Sequence, residues 1–350
     1  MNVYRYPENP VISPKDIPPY LQGYEVIGVF NAGVIRHGEE IILLLRVAER
    51  PINHDPKVGL SPYYDVESSS MGVHKLKKGV PGYNFSDSRG IGTPDGSLLT
   101  SISYLRIGRS RDGIHFAIDD RPALFPENQY EIYGIEDCRI TQIDDTYYIN
   151  YSAVSNLGIT TCLASTKDFS YIQREGVIFH PDSKNIAIFP QKINGKYYAL
   201  HRPSSSSFGK PCMWIAESPD LLCWGNHRYL MGCREGEWDE ARIGASCVPI
   251  KLEEGWLEIY HGADRNNEYC LGAVLLDAEQ PWRVIARSRL PLLKPETPYE
   301  KEGFFGNVVF SCGALYENQR VKIYYGAADT STCYAEIEMT DILNGMKEVG

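Results

Sequence analysis

The chain has 350 residues, 43% hydrophobic and 23% charged, a composition that supports a large buried core. Its net charge of −10 excludes a broad nucleic-acid-binding face, so nucleic acid is not an expected partner and any anion site must be local. No apolar run approaches the roughly 18 residues of a membrane span, and the N-terminus MNVYRYPENPVISP lacks the apolar stretch of a signal peptide. The expectation is a cytoplasmic protein with no membrane partner.

Taken in chain order, one pattern recurs five times. A short alternating strand, a turn and a strongly apolar or aromatic strand occupy 30–47, 137–152, 187–203, 245–262 and 308–326. Each hairpin is followed by a second, at 103–119, 161–176, 212–230, 270–288 and 333–343. Two hairpins make a four-stranded sheet, and helical periodicity is nearly absent. Five such units, at periods of roughly 50 to 65 residues after the first, predict an all-β chain folded as a single five-bladed β-propeller over residues 1–350.

The first blade is interrupted by an insertion over 51–99, rich in Pro, Gly, Ser and Asp and far longer than an ordinary connection. It is expected to be a lid or a substrate-contacting arm, or a contact between copies in a homo-oligomer. Tyr63, Tyr64 and Asp65 are its reachable candidates. Nine cysteines (138, 162, 212, 223, 233, 247, 270, 312 and 333) are odd in number and form no CxxC pair, so they read as buried thiols of a reducing compartment. No ligand spacing points to a metal, and no cofactor is expected.

Propeller geometry turns the repeats into a site. Corresponding positions on the innermost strands should converge on the axis. Aligning the returning strands brings Arg46, Tyr151, His201, His261 and Tyr325 into register. Beyond them come Glu49, Arg50, Arg202, Asp264 and Asp329; before the hairpins come Asn31, Asp137, Asn185 and Asn307, with Arg242 in a link. The most concentrated chemistry is Gly134-Ile135-Glu136-Asp137-Cys138-Arg139, two acids and a base at the mouth of a strand. Two readings stand for these residues: a structural ion pair, or a catalytic acid presented by a rigid sheet.

The motifs that carry these residues resemble glycoside hydrolase family 130, the β-mannoside phosphorylases and related mannosidases, over nearly the whole length. They are Phe30-Asn31-Ala32-Gly33, Gly134 to Arg139, Phe189 to Tyr197 with Leu200-His201-Arg202-Pro203, Ala216 to Asp220, Arg242-Ile243-Gly244, Gly255-Trp256, Tyr260-His261-Gly262, Asn307 to Phe310 and Tyr324 to Asp329. The chain departs from the family pattern at Cys138, where Pro is common, and at Arg242, where Lys is frequent.

The resemblance implies that Asp137 is the general acid of an inverting phosphorylase. Inorganic phosphate, a co-substrate, attacks the anomeric carbon from the opposite face, and the proton travels through the mannose O3 hydroxyl. It implies a cationic phosphate site, here Arg46, Arg139, Arg202, Arg242 and His261, because phosphate arrives as an anion and needs orientation rather than activation. Asn31, Arg50, Tyr64, Asp65, Glu136, Asn185, His201, Asp264, Asn307, Tyr325 and Asp329 are expected to bind substrate. Tyr63, Tyr64, Tyr133, Phe304 and Phe305 are candidates for an aromatic platform under the acceptor sugar.

The expected substrate is β-1,2-mannobiose or a short β-1,2-mannooligosaccharide, giving α-mannose 1-phosphate, with a β-1,4-mannoside as the near alternative. A hydrolase of the same fold would need a second acid, for which Glu240 and Asp264 are the candidates. A non-catalytic sugar-binding propeller would need no basic cluster.

Overall fold

The computed structural model describes residues 2–204 and 208–348. It is all-β, as β-branched and aromatic residues alternating between Gly-, Asn- and Asp-rich turns dictate. Strand β1 (Val3–Arg5) is followed by the long hairpin of β2 (Tyr24–His37) and β3 (Glu40–Pro51). Two small hairpins come next, β4 (Val58–Asp65) with β5 (Ser70–Lys77) and β6 (Gly90–Thr93) with β7 (Gly96–Leu99). Strand β8 (Ile102–Ser110) then returns to pair with β3, and β9 (Ala117–Ile118) pairs with β8.

The chain continues as antiparallel meanders. The first is β10 (Gly134–Ile143), β11 (Thr146–Ser155), β12 (Gly158–Thr166) and β13 (Gln173–Phe179). The second is β14 (Ser183–Ile188), β15 (Tyr197–Pro203), β16 (Met213–Ser218) and β17 (Gly225–Met231). In the third, β18 (Arg242–Ala245) and β19 (Ile250–Lys251) both pair with β20 (Trp256–Ala263), followed by β21 (Tyr269–Leu276) and β22 (Val284–Ser288). A helical turn α1 (Pro298–Lys301) leads to β23 (Val309–Glu317), β24 (Arg320–Ala327) and β25 (Ser331–Glu338), and helix α2 (Met339–Asn344) to β26 (Met346–Glu348), which pairs with β22.

Two expectations are corrected. The segment 333–343 is one strand and a helix rather than a hairpin; β1 supplies the missing strand by pairing antiparallel with β25. The inner strand at 187 stops at Ile188, since Pro190 lacks the N–H a ladder needs, and the one at 245 breaks after Ala245, where the Ser246 and Cys247 N–H groups both donate to Ile259 O, and resumes as β19. Neighbouring sheets also touch through parallel bridges, Gly134 of β10 with Ser103 of β8 and Tyr269 of β21 with Val308, which directly precedes β23.

Apolar cores lie between neighbouring sheets. Ile42, Leu44 and Leu105 pack on Ile140, Ile149 and Tyr151, and at the other end of the chain Tyr324 and Tyr334 pack on Val34, Leu43 and Leu45. Six of the nine cysteines are buried in these layers; Cys212 and Cys233 are half-buried, and Cys223 is exposed, against expectation. Among the described residues no helix is long and apolar enough to cross a membrane.

Candidate active site

Three first strands carry the same irregularity. The register shifts between Phe30 and Gly33 in β2, between Glu136 and Arg139 in β10, and between Lys184 and Ala187 in β14. Each bulge holds a residue with positive φ: Asn31 at 52°, Asp137 at 49° and Asn185 at 56°. Left-handed backbone costs about 1–2 kcal/mol for a residue with a Cβ, and Asn and Asp visit it most readily because their short polar side chains bond locally. A bulge re-aims a side chain out of its ladder. All three line one cavity of about 480 Å3. Glycine makes room for them: a Cβ on Gly326 would collide with Asn31 Oδ1, and one on Gly244 would lie 2.7 Å from His261 Cε1.

On one side of the cavity stands the acid. Asp137 Oδ1 accepts from Asn31 Nδ2 and from Arg46 Nη1, both at 2.9 Å, while Arg46 Nη2 donates to Glu136 Oε1 at 2.8 Å. Arg46 Nε is anchored on Ser103 Oγ at 3.1 Å. Burial alone would raise the Asp137 pKa, but the Arg46 and Arg139 guanidiniums outweigh it and hold the carboxyl below its usual range. Among the described residues Asp137 Oδ2 has no hydrogen-bond partner, and its side chain keeps 15% of its surface, so one oxygen is open to a ligand. Nearby, burial pushes Asp329 up to about 7 despite the pull of Arg46, with the Asp137 charge adding to the rise.

On the other side stand cations without counter-ions. Lys184 and Arg202 are cross-strand neighbours in β14 and β15, both line the cavity, and neither forms an ion pair among the described residues. Burial, and then the charge of Arg202, lowers the Lys184 pKa. Burial likewise brings Arg202 down to about 10, so it remains charged at neutral pH. Beneath them His261 is fully buried. Its Nε2 faces two donors, Arg202 Nη1 at 3.1 Å and Asn185 Nδ2 at 3.3 Å, so it accepts; the proton sits on Nδ1, 3.2 Å from Ser246 Oγ. Burial and then the nearby arginines drive the His261 pKa well down, and the ring is neutral. It orients Arg202 rather than adding charge.

The insertion forms the rim. Arg89 lies 3.7 Å over the Phe305 ring and grips Asp87 through Nε at 3.0 Å and Nη2 at 2.8 Å, while Ser88 Oγ donates to Phe304 O at 3.0 Å. Phe304 and Phe305 both line the cavity, as does Asn84.

Of the residues singled out in the sequence, Asn31, Arg46, Glu136, Asp137, Asn185, Arg202, His261 and Asp329 come together at this cavity. Others do not reach it, mostly because side chains alternate faces along a strand. His201, beside Arg202, points the other way: its Nδ1 faces Ser183 Oγ at 3.2 Å and its Nε2 faces His227 Nδ1 at 3.1 Å. Tyr325 is in the core with its hydroxyl donating to Glu300 at 2.9 Å, and Tyr151 likewise donates to Glu131 at 2.7 Å.

Arg139 lies beneath the floor, bonded to backbone carbonyls. Arg242 stands beside the cavity, donating to the Tyr269 hydroxyl at 2.7 Å and to Asn267 Oδ1 at 3.0 Å. Arg50 pairs with Glu25 at the surface, and Glu49 is spent on the backbone N–H groups of Tyr20 and Leu21. Tyr64 packs on Phe125, Tyr63 stacks on His74 and Tyr133 is buried.

Asp65 and Asp264 cap turns with their Oδ1 atoms, a local duty that keeps both out of the cavity. Asn307 is exposed, and its carbonyl accepts from Tyr269 N. Sequence reasoning missed Lys184, Arg89 and Tyr269. Lys184 had a signal, since it precedes Asn185 as Glu136 precedes Asp137.

This all-β scaffold presents the Asp137 carboxylate, with one open oxygen, beside Lys184 and Arg202, two cations that form no ion pair among the described residues. The chain belongs to glycoside hydrolase family 130, whose family model, described as β-1,4-mannooligosaccharide phosphorylase, matches residues 98–348. The β-1,2-mannobiose phosphorylase of Listeria innocua is 50% identical over 99% of each chain. The 1,2-β-oligomannan phosphorylase of a Thermoanaerobacter species is 43% identical over 69% of this chain and 80% of its own. The solved structure of the Listeria enzyme in complex with β-1,2-mannobiose matches with a TM-score of 0.97 at 50% identity, covering 99% of both chains.

Proposed function

We propose that this chain is an inverting phosphorylase that cleaves β-1,2-mannobiose or short β-1,2-mannooligosaccharides with inorganic phosphate, releasing α-mannose 1-phosphate. The observation that carries the proposal is the pair Lys184 and Arg202, two cations that form no ion pair among the described residues, in the cavity that holds Asp137. Leaving such charges uncompensated is costly unless an anion completes the site. Phosphate on this cradle needs no base to activate it. Glu240, bound to Arg265, and Asp264 lie outside the cavity, so neither candidate for a water-activating acid is in place for hydrolysis.

Asp137 supplies its proton toward the glycosidic oxygen, the C1–O bond breaks, and a phosphate oxygen bonds to C1 from the opposite face. Hydrogen phosphate loses its proton in becoming an ester, which restores the acid. Asp137 rests ionised under Arg46 and Arg139, and a bound dianion offsets that positive field, so phosphate binding favours the protonated acid. Asn31 and Glu136 fix Arg46 and the carboxylate; Asp329 and Asn185 remain for sugar hydroxyls. No cofactor enters this chemistry.

The scaffold is a single five-bladed β-propeller. Apolar cores between successive sheets, the packing of the last sheet on the first and the completion of that last sheet by β1 support it. The 51–99 insertion acts as a lid-like arm, a reading supported by Arg89, which grips Asp87 and lies over Phe305 at the cavity rim.

The test is incubation of the purified protein with β-1,2-mannobiose and with β-1,4-mannobiose, each with and without inorganic phosphate. Mannose 1-phosphate forming from the β-1,2 disaccharide only with phosphate is expected. Equal free mannose with and without phosphate would overturn phosphorolysis, and preference for the β-1,4 disaccharide would overturn the linkage.

A further inference from the structure

One charge beneath the cavity floor has no direct part in this reaction. Arg139 follows Asp137 by two residues, is 1% exposed and forms no ion pair among the described residues. A buried guanidinium is tolerated when its donors are satisfied, and here backbone carbonyls satisfy them. Nη1 donates to Asp137 O at 2.7 Å, Nη2 to Ala245 O at 3.0 Å and Nε to Ser246 O at 3.0 Å, with Asn185 Oδ1 a longer 3.5 Å from Nη2. Ser246 Oγ in turn accepts from His261 Nδ1–H, and His261 Nε2 accepts from Arg202. One rigid fork therefore joins the backbone of the acid, in β10, to the residues at the end of β18 that orient the anion-binding arginine.

We infer that Arg139 is a positioning residue that fixes the spacing between the acid and the phosphate cradle, and that it touches neither sugar nor phosphate. Its leverage comes from where it grips. The Asp137 carbonyl belongs to a left-handed residue in a bulge, a conformation that persists only when its surroundings over-determine it. A lysine keeps the charge but presents a single point of donation, so it cannot hold three carbonyls from two separate chain segments at once. The inference rests on the phosphorolytic reading of the cavity.

The experiment is Arg139→Lys in the full chain, with kcat, KM for phosphate and affinity for β-1,2-mannobiose measured separately. A kcat loss of about 10²-fold with KM for phosphate within about threefold and sugar affinity retained is expected, as for a small misplacement of a reacting group. A rise in KM for phosphate with kcat kept would show direct contact and overturn the inference. Parallel loss of kcat and sugar affinity would mark a merely structural arginine and also overturn it. A crystal of the unaltered protein grown with inorganic phosphate decides the matter without any variant: the anion should sit on Lys184 and Arg202, and an oxygen within hydrogen-bond distance of Arg139 would contradict the role. Full turnover in Asp137→Asn would defeat the cavity reading itself, whereas an inactive Asp137→Asn beside a fully active Arg139→Lys would defeat only the positioning role.

Discussion

Asp137 must give up a proton, yet the protein's own charges hold it in the ionised form. Arg46 and Arg139 oppose its protonation, and phosphate relieves them, so acid and nucleophile are coupled through charge. Asp137→Asn should therefore lower kcat by about 10²- to 10⁴-fold while leaving the circular dichroism and melting of the chain intact. Lys184→Ala removes a charged donor worth about 1.5–3 kcal/mol, so KM for phosphate should rise by roughly 10- to 150-fold with KM for mannobiose little changed. Asp329 gives a pH signature. Its folded pKa, pushed up to about 7 from 3.8, means the folded state holds a proton that the unfolded state releases between those values. This group's contribution to stability is present in acid and lost as pH rises through 7. Relative to the unaltered chain, Asp329→Asn should gain melting temperature as pH goes from 4 to 7, and a constant difference across that range would contradict the assignment.

At this scale the sequence was legible where the repeats spoke. Asn31, Asp137 and Asn185 occupy one position of three repeats and share one backbone conformation. It was not legible where face mattered. His201 and Arg202 are adjacent and equally polar, and only the pleat decides that one faces the cavity and the other Phe179 and His227.

Among the elements, the bulged strands and the insertion divide the work. The bulges need strand neighbours on both sides to show themselves, so alternation in a single strand does not reveal them. The insertion shows no clean alternation, and its Pro and Gly content conceals two hairpins that the structure makes plain. The lid role proposed for it rests on Arg89, whose stack on Phe305 is worth about 0.5–2 kcal/mol. Arg89→Ala should raise KM for mannobiose by about 2- to 30-fold. It should also improve turnover of β-1,2-mannotriose relative to the disaccharide. Unchanged chain-length preference would remove the insertion from the site.

Over the whole molecule, the ends of the chain are tied together. Strand β1 completes the sheet of β25, and Arg5 reaches the buried Glu300 at 2.9 Å. Burial would raise Glu300, but Arg5 and backbone donors hold it below its usual range. Arg5→Ala should cost about 3 kcal/mol, the lower end for breaking a buried pair, because the Tyr325 hydroxyl and two backbone N–H groups still satisfy the carboxylate. The denaturant midpoint measures it. Five repeats made the all-β class legible, whereas the pairing of β1 with β25 joins residues more than three hundred positions apart, beyond any local pattern. In a chain of net charge −10, Lys184 and Arg202 bring to one cavity two cations that form no ion pair among the described residues, and that contrast makes phosphate the expected nucleophile. The decisive measurement follows the purified chain acting on β-1,2-mannobiose in phosphate by proton and phosphorus NMR. Direct formation of the α anomer of mannose 1-phosphate is expected; the β anomer, or free mannose formed at the same rate without phosphate, would contradict the inverting phosphorolysis proposed for this site.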